Sequence, residues 1–255
     1  MRMAYDNFID ALESTAIEAS SEDTSYPATN VQDQRLAVKW HSDEATVSTI
    51  VFDLGATAAC SIFALMSHNI TSAITVTVNG NDDIVAPLTW TTSGQSSTQT
   101  ITYNADIMLA FVSPKSNRYW QFTFTGTAAS SLEIGRIWIG NYIDISPSST
   151  NDFQVIKKRD DTVVYGRGRQ KYASAGVGWR RFKLAFPRTA TTTLTAIQTM
   201  YDHVGNHSSF IFCNFNDLRT YPLVDPCYVS IDGEIGFTHT KRQHYTYGLS
   251  LEEDL

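Results

Sequence analysis

Cysteine is scarce in this chain of 255 residues: it occurs three times, at positions far apart. Cys60, Cys213 and Cys227 form no CxxC pair and no cluster with histidine, so the sequence lacks the ligand spacing of a structural zinc site. An odd number of cysteines without a recognisable secretory signal predicts reduced thiols. Cys60 and Cys213 each lie in an apolar run, and we expect both to be small core residues.

Long hydrophobic runs are also missing. No apolar segment approaches the roughly 20 residues that are needed to cross a bilayer, so no membrane insertion is expected. The first ten residues, MRMAYDNFID, hold one Arg before their acids and contain no apolar signal-peptide core. We therefore expect a protein that is made in the cytoplasm and acts in soluble form or within an assembly.

The signatures of common enzymes are absent as well. The sequence contains no GxSxG elbow, no HExxH, no Walker A loop and no GxGxxG after a strand. The pairs Asp82-Asp83 and Asp160-Asp161 lie in predicted turns, where Asp is common for backbone reasons. The six histidines are scattered. We therefore predict no enzymatic activity, no cofactor, and no catalytic or metal-binding residue.

The chain is rich instead in β-branched and aromatic residues, which favour pleated, half-buried surfaces. Short segments with strand-like patterns follow one another from Thr46 to Ile145, with predicted turns at Asp53–Gly55 and Asn79-Gly80. Many short strands separated by turns are typical of a sandwich or jelly roll. The predicted strands are TVSTIVFDLG, CSIFALMSHN (expected to be buried on both faces), SAITVTVNGND, PLTWTT, TQTITYN, IMLAFV, RYWQFTFTG and LEIGRIWIGNYIDI.

The N-terminal segment permits two interpretations. Residues Ala4 to Ala19 have the composition of a weak helix, but TAIEASS within them also fits a short strand. The Ser-, Asp- and Pro-containing stretch from Ser20 to Asn30 is predicted to be a loop.

The second half predicts an α+β domain. Leu194, Ile197, Met200 and Val204 recur at helical spacing before Gly205, which predicts a helix over about 190–204, capped by Thr189 or Thr191. Strand patterns precede the helix, with Asp160-Asp161 as a turn and Gly166 and Gly168 as a bulge, and further strand patterns follow it. The order of strands, helix and strands suits one helix packed against a sheet.

Charge is distributed unevenly along the chain. Residues 1–152 contain 6 Lys and Arg against 16 Asp and Glu, whereas residues 153–255 contain 13 against 10. The Ser- and Pro-rich stretch from Ile145 to Thr150 lies where this balance changes. We therefore predict two domains, residues 1–148 and 149–255, with a linker at this stretch.

The order of several segments in the first half resembles a known family. YPATNVQDQRLAVKWHS is followed by IVFDLG, FALMSHNIT, RYWQFTFTG and EIGRIWIG. This series resembles the galactose-binding-like, discoidin-type β-sandwich of phage tail and virion proteins, over roughly Ser20 to Tyr142. Some domains of that type carry a structural calcium, but NGNDD (residues 79–83) lacks EF-hand spacing, and we interpret it as a hairpin turn.

The second half resembles another family more loosely. WRRFKLAF, the predicted helix, GNHSSFIFCNF and HYTYGLSLEED resemble the C-terminal part of phage distal-tail and minor tail proteins, whose fold is similar to that of tail-tube subunits. The two resemblances together imply a structural virion protein of a phage tail tip or baseplate. They imply a ring of identical copies, a hexamer or a trimer, whose partners are the tail tube, tape measure and hub.

A basic cluster opens the second half and has three interpretations. It is a solvated hairpin, a contact with an acidic neighbouring subunit, or a nucleic-acid contact, although the acidic chain argues against nucleic acid as the main partner. The residues proposed for a subunit interface are Arg167, Arg169, Lys171, Arg180 and Arg181.

Two functions compete with the structural one. A carbohydrate-binding module for adhesion to a host surface needs exposed aromatic platforms with polar groups nearby. The residues proposed for such a glycan site are Trp40, His41, Trp90 and Tyr103. A glycan-degrading enzyme is the third possibility, which the missing catalytic motifs disfavour.

Overall fold

The structure, a computed structural model, describes residues 1–43, 47–84, 90, 95–126, 131–145, 153–165, 167, 169–214, 226–241 and 244–254. Its strands are β1 (Arg2–Asn7), β2 (Ile17–Ala19), β3 (Trp40–His41), β4 (Val47–His68), β5 (Thr75–Asn81), β6 (Gln95–Ile101), β7 (Ile107–Thr125), β8 (Glu133–Asp144), β9 (Gln154–Arg159), β10 (Thr162–Tyr165), β11 (Lys171–Ser174), β12 (Gly178–Ala190), β13 (Phe210–Cys213), β14 (Cys227–Ile231), β15 (Phe237–Lys241) and β16 (His244–Glu253). The described part contains one α-helix, α1 (Thr191–Val204), and two short 3-10 turns, Ser14–Ala16 and Ala28–Gln32. The predicted mainly β chain with one helix is confirmed.

The chain forms two compact units. The first, Asp6–Tyr142, is called the sandwich unit below, and the second, Met1–Tyr5 with Ile143–Leu255, is called the helix unit. The sequence-based division at residue 148 assigned the N-terminal residues to the first domain. In the structure the N-terminal part of β1 pairs with β13, Arg2 opposite Cys213, so Met1–Tyr5 belongs to the later unit. The predicted linker largely lies outside the described residues.

Two long strands, β4 and β7, organise the sandwich unit. The early part of β4 pairs with the late part of β7, and β5, β6 and β2 extend this ladder on its two sides. The late part of β4 pairs with the early part of β7 and with β8, whose start also pairs with β3. The two ladders are separated by a register break between Asp53 and Ala58 on β4. β4 and β7 therefore each belong to both sheets of the unit.

The two sheets face each other across an aromatic core. Phe63, on the late part of β4, lies 4.7 Å from Trp120 and 6.3 Å from Phe122, both on the late part of β7 (ring centroids). Phe52 meets Phe122 edge-on from the early part of β4. Because these rings come from both sheets and are almost fully buried, the unit is a β-sandwich, as the sequence predicts.

Some predicted turns are wrong because the strands continue through them. TVSTIVFDLG and CSIFALMSHN are one strand, β4, and IMLAFV and RYWQFTFTG are one strand, β7. Asn79-Gly80 is not a hairpin turn, since β5 runs to Asn81 and its Gly80 pairs with Ser97 on one side and Trp120 on the other. A side chain at residue 80 would collide with Asn117, so Gly80 serves close packing instead of chain reversal. Most of PLTWTT lies outside the described residues.

The helix unit is an antiparallel sheet with one helix. Its strand order is β1-β13-β14-β16-β12-β9, and β15 pairs with β16. In its core, the ring centroids of Phe182 on β12 and Phe212 on β13 are 5.5 Å apart. The buried residues of α1 are Leu194, Ile197, Met200 and Val204. The observed helix agrees with the predicted one, but its N-cap is Ala190, so the predicted threonine cap is wrong. At the other end, Gly205 adopts a positive φ of 52°, which stops the helix.

All three cysteines are buried and free of disulfides, in agreement with the prediction of core thiols. Burial raises the pKa of the Cys60 thiol to about 12. This thiol is therefore protonated and unreactive near neutral pH.

A separate two-stranded sheet is formed by β10 and β11. These strands continue the β9–β12 pair beyond the main sheet: the Asp160 amide donates to Val177 O (3.2 Å), and the Gly176 amide donates to Asp161 Oδ1 (2.8 Å). Asp160-Asp161 therefore joins two stretches of one ladder and is not the predicted chain reversal. Gly166 and Gly168, the predicted bulge, lie outside the described residues.

Candidate functional site

The four aromatic residues proposed for a glycan site lie in different environments. Trp40 is fully buried in the core against Phe124, which excludes it as an exposed platform in this structure. Trp90 packs on the small cluster of Val51, Ile84 and Tyr119 and is only partly exposed. Tyr103 is exposed, and His41 is half-buried.

His41 lies at the surface because its neighbour Trp40 points into the core. The two residues form β3, and successive side chains of a strand point to opposite faces. His41 is directly opposite Glu133, and Trp40 is opposite Ile134, on β8. This pairing brings the side chains of His41 and Glu133 to one face of the sheet edge.

A second aromatic ring completes a platform with His41. The Tyr26 ring stacks on the imidazole with centroids 3.8 Å apart and planes 12° from parallel. The loop that carries Tyr26 is fixed by backbone bonds: the His41 amide donates to Tyr26 O (3.1 Å), and the Asp23 amide donates to His41 O (3.0 Å). Tyr26 nevertheless keeps 43% of its surface exposed. The stack is therefore preorganised and accessible.

An ion pair lies beside this stack. Lys39 Nζ is 3.2 Å from Glu133 Oε2, and both side chains are about one-third exposed or less. The backbone on each side is held in place, since Asn30 Nδ2 donates to Lys39 O (2.7 Å) and the Glu133 amide donates to Asn69 Oδ1 (2.9 Å). We call the group of Tyr26, Lys39, His41 and Glu133 the Tyr26 patch.

His68 contributes to the electrostatics behind this patch. It pairs with Ile134 on β8, one residue from Glu133. Burial lowers the pKa of His68, with Lys39 acting in the same direction and Asn104 and Asp106 opposing it. A histidine with a pKa below 6.5 is neutral at neutral pH. His68 therefore adds no positive charge behind the patch at that pH.

The chemistry of the Tyr26 patch is that of a polar ligand site with an aromatic floor. Stacked rings offer an apolar face to C–H groups, while the Lys39 ammonium donates and the Glu133 carboxylate accepts hydrogen bonds. The arrangement lacks the features of a metal site: within the described residues, no group of three or more His, Cys, Asp or Glu could hold a metal ion.

Three residues of the patch were missed by the sequence analysis. Tyr26 lies in a Ser- and Asp-rich loop, where an aromatic residue in polar surroundings was an available signal. Lys39 and Glu133 are separated by 94 positions, and only the β3–β8 pairing brings them together.

The candidates for a subunit interface divide into two groups. Arg180 is bound within its own unit by Glu253, and Arg181 by Asp232 and Glu252. Arg167, Arg169 and Lys171 are exposed on the β10–β11 hairpin, and within the described part of the chain none of these three forms an ion pair. Only the hairpin group is thus placed for contact with another molecule.

Within NGNDD, the Asp82 carboxylate and the Asn81 side chain have hydrogen-bond partners in the protein. Asp82 Oδ1 accepts from the Arg118 amide (2.8 Å) and from Thr57 Oγ1 (3.4 Å). Asn81 Oδ1 accepts from the Asp83 amide, as in a turn after the end of β5. The bonds of Asp82 connect the end of β5 to β7 and to β4.

The chain has been compared with known proteins. No protein-family model matches the sequence, and no curated protein matches it. The solved structures that it resembles include chitosan-binding module 1 from the chitosanase/glucanase of Paenibacillus sp. IK-5 (TM-score 0.42, 15% identity, 53% of this chain and 99% of that one). They also include the lectin domain of lectinolysin complexed with Lewis B antigen (0.41, 15%, 52% and 95%) and a Streptococcus pneumoniae fucose binding module (0.40, 12%, 53% and 95%). Likeness at this level says nothing about a ligand of this chain.

Among the described residues, no helix combines the length and apolar character that a membrane crossing requires.

Proposed function

We propose that the sandwich unit is a carbohydrate-binding module, which serves adhesion to a glycan-bearing host surface and performs no catalysis. The observation that carries this proposal is the exposed Tyr26–His41 stack beside the Lys39–Glu133 ion pair. Sugar sites combine aromatic faces with a few fixed polar groups.

Each part of the patch has a counterpart on a sugar ring. The exposed Tyr26 ring is a platform for the C–H face of a pyranose, because burying that face removes apolar surface from water. Glu133 accepts hydrogen bonds from sugar hydroxyls, and Lys39 donates to their oxygens. The Lys39–Glu133 pair leaves little net charge on the patch, which suits neutral sugars better than strongly acidic ones.

The test is binding of the full chain to a glycan array, followed by calorimetry with the best sugar. Replacing Tyr26 with Ala is expected to weaken binding at least about tenfold, which corresponds to about 1.4 kcal/mol. Val47→Ala is the control at an exposed apolar residue outside the patch, because Val47 is 45% exposed in the same unit and Tyr26 is 43% exposed. Tyr103→Ala tests the other exposed aromatic candidate, because Tyr103 is 41% exposed. Glu133→Gln keeps the shape and removes the charge, and it should weaken binding with a smaller effect.

Two outcomes would contradict the proposal. One is the absence of binding to any arrayed glycan and to free sugars at millimolar concentration. The other is equal binding by wild type and the Tyr26→Ala variant, provided that both have the same thermal unfolding midpoint.

A second candidate is a structural role in the virion, as a phage tail-tip or baseplate subunit made in the host cytoplasm. The observation that favours self-assembly is the exposed basic hairpin β10–β11 of the helix unit. A closed ring, hexameric or trimeric, needs two different matching surfaces on each copy. The tail tube, tape measure and hub would be the neighbours of such a ring.

Electron microscopy of the purified chain and of intact particles tests the second candidate. A ring of copies at the distal end of a tail would support the structural role. A chain that stays monomeric at high concentration and is missing from tails would contradict it. Glycan binding is compatible with either result, because it is assigned to the other unit.

A further inference from the structure

The β10–β11 hairpin exposes apolar side chains that a soluble protein usually buries. Tyr165 is 67% exposed, Tyr172 is 60% exposed and Val164 is 57% exposed. Val163, beside them, also lies at the surface. Val163 and Tyr165 share one face of the hairpin, and Val164 and Tyr172, which are directly opposite each other, share the other face. Single exposed apolar residues are common, but a pair on each face of one hairpin indicates an interaction surface.

The hairpin is connected to the β9–β12 pair by the bonds at Asp160 and Gly176, and beyond them it has no neighbouring strand among the described residues. Its strands pair with each other, Thr162 opposite Ser174 through Tyr165 opposite Lys171, and with no other strand of the described chain. Two-stranded hairpins are marginal in water by themselves. Each strand also has one free edge with unpaired backbone groups. A partner that covers the hairpin would stabilise it and would pair or shield its strand edges.

The charge of the hairpin restricts the class of partner. Between Thr162 and Ser174 the chain holds Arg167, Arg169 and Lys171 and no Asp or Glu. The partner surface must therefore be acidic and partly apolar.

The chain itself carries such a surface. Between Arg2 and Arg35 there are seven Asp and Glu and no Lys or Arg. Three of these acids, Glu13, Glu18 and Glu22, are exposed around β2, and we call this region the acidic edge. Among the described strands β2 pairs only with β4, so it lies at the edge of its sheet.

We propose that the β10–β11 hairpin of one copy docks on the acidic edge of a second copy. Arg167, Arg169 and Lys171 face the carboxylates of that edge, and Tyr165, which is directly opposite Lys171 and shares its face, buries apolar surface in the contact. The inference deepens the structural candidate, with which it shares self-association, and its experiments measure association in the absence of any glycan. A contact between different surfaces on two copies also permits closure into a ring, without requiring it.

The first experiment compares charge reversals in the full chain by sedimentation and mass photometry. At about 0.15 M ionic strength, R167E and K171E are each expected to weaken self-association about tenfold, because like charges then face each other. K115E is the control, since Lys115 is an exposed cation on β7 outside both surfaces. Its self-association should equal that of wild type.

The second experiment exchanges the charges between the two surfaces. The variants R167E/K171E and E13K/E18K should each be largely monomeric alone, because each keeps one reversed surface. Mixed together, they should form a complex, because the reversed hairpin then meets the reversed edge. This rescue shows the contact directly and does not depend on whether either variant is slightly less stable.

The outcomes separate the contact from its alternatives. A monomeric wild type, an equal effect of K115E, or a failure of the mixed variants to associate would overturn the proposal. Association that is lost on nuclease treatment, or that needs anionic lipid vesicles, would also overturn it by naming a different partner. A charge-dependent dimer without rings would support the contact and count against the tail-tip ring.

Discussion

Arg136 donates a hydrogen bond of 2.6 Å from its Nη2 atom to Asp10 Oδ2, from a position on β8 that is fully buried. Its Nη1 atom donates to Gln32 O (2.7 Å), and its guanidinium lies 5.4 Å from the centre of the Trp138 ring. Asp10 also accepts a bond of 2.7 Å from Asn7 Nδ2. The pair connects the N-terminal segment of the sandwich unit to the middle of its sheet.

Neutralising Asp10 should therefore destabilise the sandwich unit. In Asp10→Asn, the buried Arg136 keeps its charge and loses its counter-ion, and the free energy of unfolding should fall by about 3 kcal/mol. Urea unfolding followed by tryptophan fluorescence measures the loss. Arg35→Gln is the control, because it breaks an ion pair with Asp33 at the surface, where no measurable loss is expected. Equal losses in the two variants would contradict this account of the pair.

A methyl group added at Gly140 should be poorly tolerated. A Cβ there would collide with Asp6 O, a backbone atom that cannot rotate away. Gly140→Ala should lower the free energy of unfolding by about 2 kcal/mol. Gly236→Ala serves as the comparison, because a Cβ at Gly236 would meet nothing within 4 Å. A Gly140→Ala protein as stable as wild type would show that β8 does not approach β1 closely at this position.

His68 should make the stability of the sandwich unit depend on pH below neutrality. Burial lowers its pKa in the folded state, so below about pH 6.5 the unfolded chain binds the proton more readily. This contribution to stability is complete above about pH 6.5 and is lost as the pH falls towards the folded pKa. His68→Gln should show a shallower decline than wild type when urea unfolding is measured from about pH 7.5 to about pH 4.5. Parallel declines would rule out His68 as the cause.

Arg180 should matter for stability and not for self-association. Its Nε donates to Glu253 Oε2 (2.9 Å), and its Nη2 contacts the other oxygen of the same carboxylate, a two-pronged contact between β12 and β16. Arg180→Gln should lower the free energy of unfolding by about 1.5 kcal/mol, because charge-assisted bonds of this type are among the stronger ones. Mass photometry should find its oligomeric state unchanged. A stably folded Arg180→Gln variant that no longer self-associates would contradict this prediction and indicate that Arg180 contributes to the subunit interface.

The sequence was informative where apolar patterns decide the structure. The spacing from Leu194 to Val204 predicted the helix, and RYWQFTFTG was predicted to be a strand, in which Phe122 and Phe124 alternate and are both buried. These patterns are informative because burial follows the period of the backbone. They do not show where a strand ends, so Asp53 and Gly55 suggested a turn within the continuous strand β4.

The candidate site was harder to predict because no periodic pattern of apolar residues marks it. Whether Trp40 or His41 faces solvent depends on which of them points inward, and a two-residue strand offers no alternation from which to tell. The stack with Tyr26 depends on a loop geometry that no periodic pattern encodes. Arg180 illustrates the complementary error: a basic cluster in the sequence says nothing about the acids that β16 places beside it.

The break between Asp53 and Ala58 has a consequence for changes in chain length. Residues 54–57 of β4 lie opposite a single residue of β7, Arg118, and none of them takes part in the β4–β7 ladder. Adding or removing a residue here therefore leaves Phe52 and Phe63 on their inward faces, whereas the same change within the paired stretch from Val47 to Asp53 would turn the later side chains of that stretch over. Natural insertions, or an engineered epitope or label, are therefore better tolerated at this break than within that stretch.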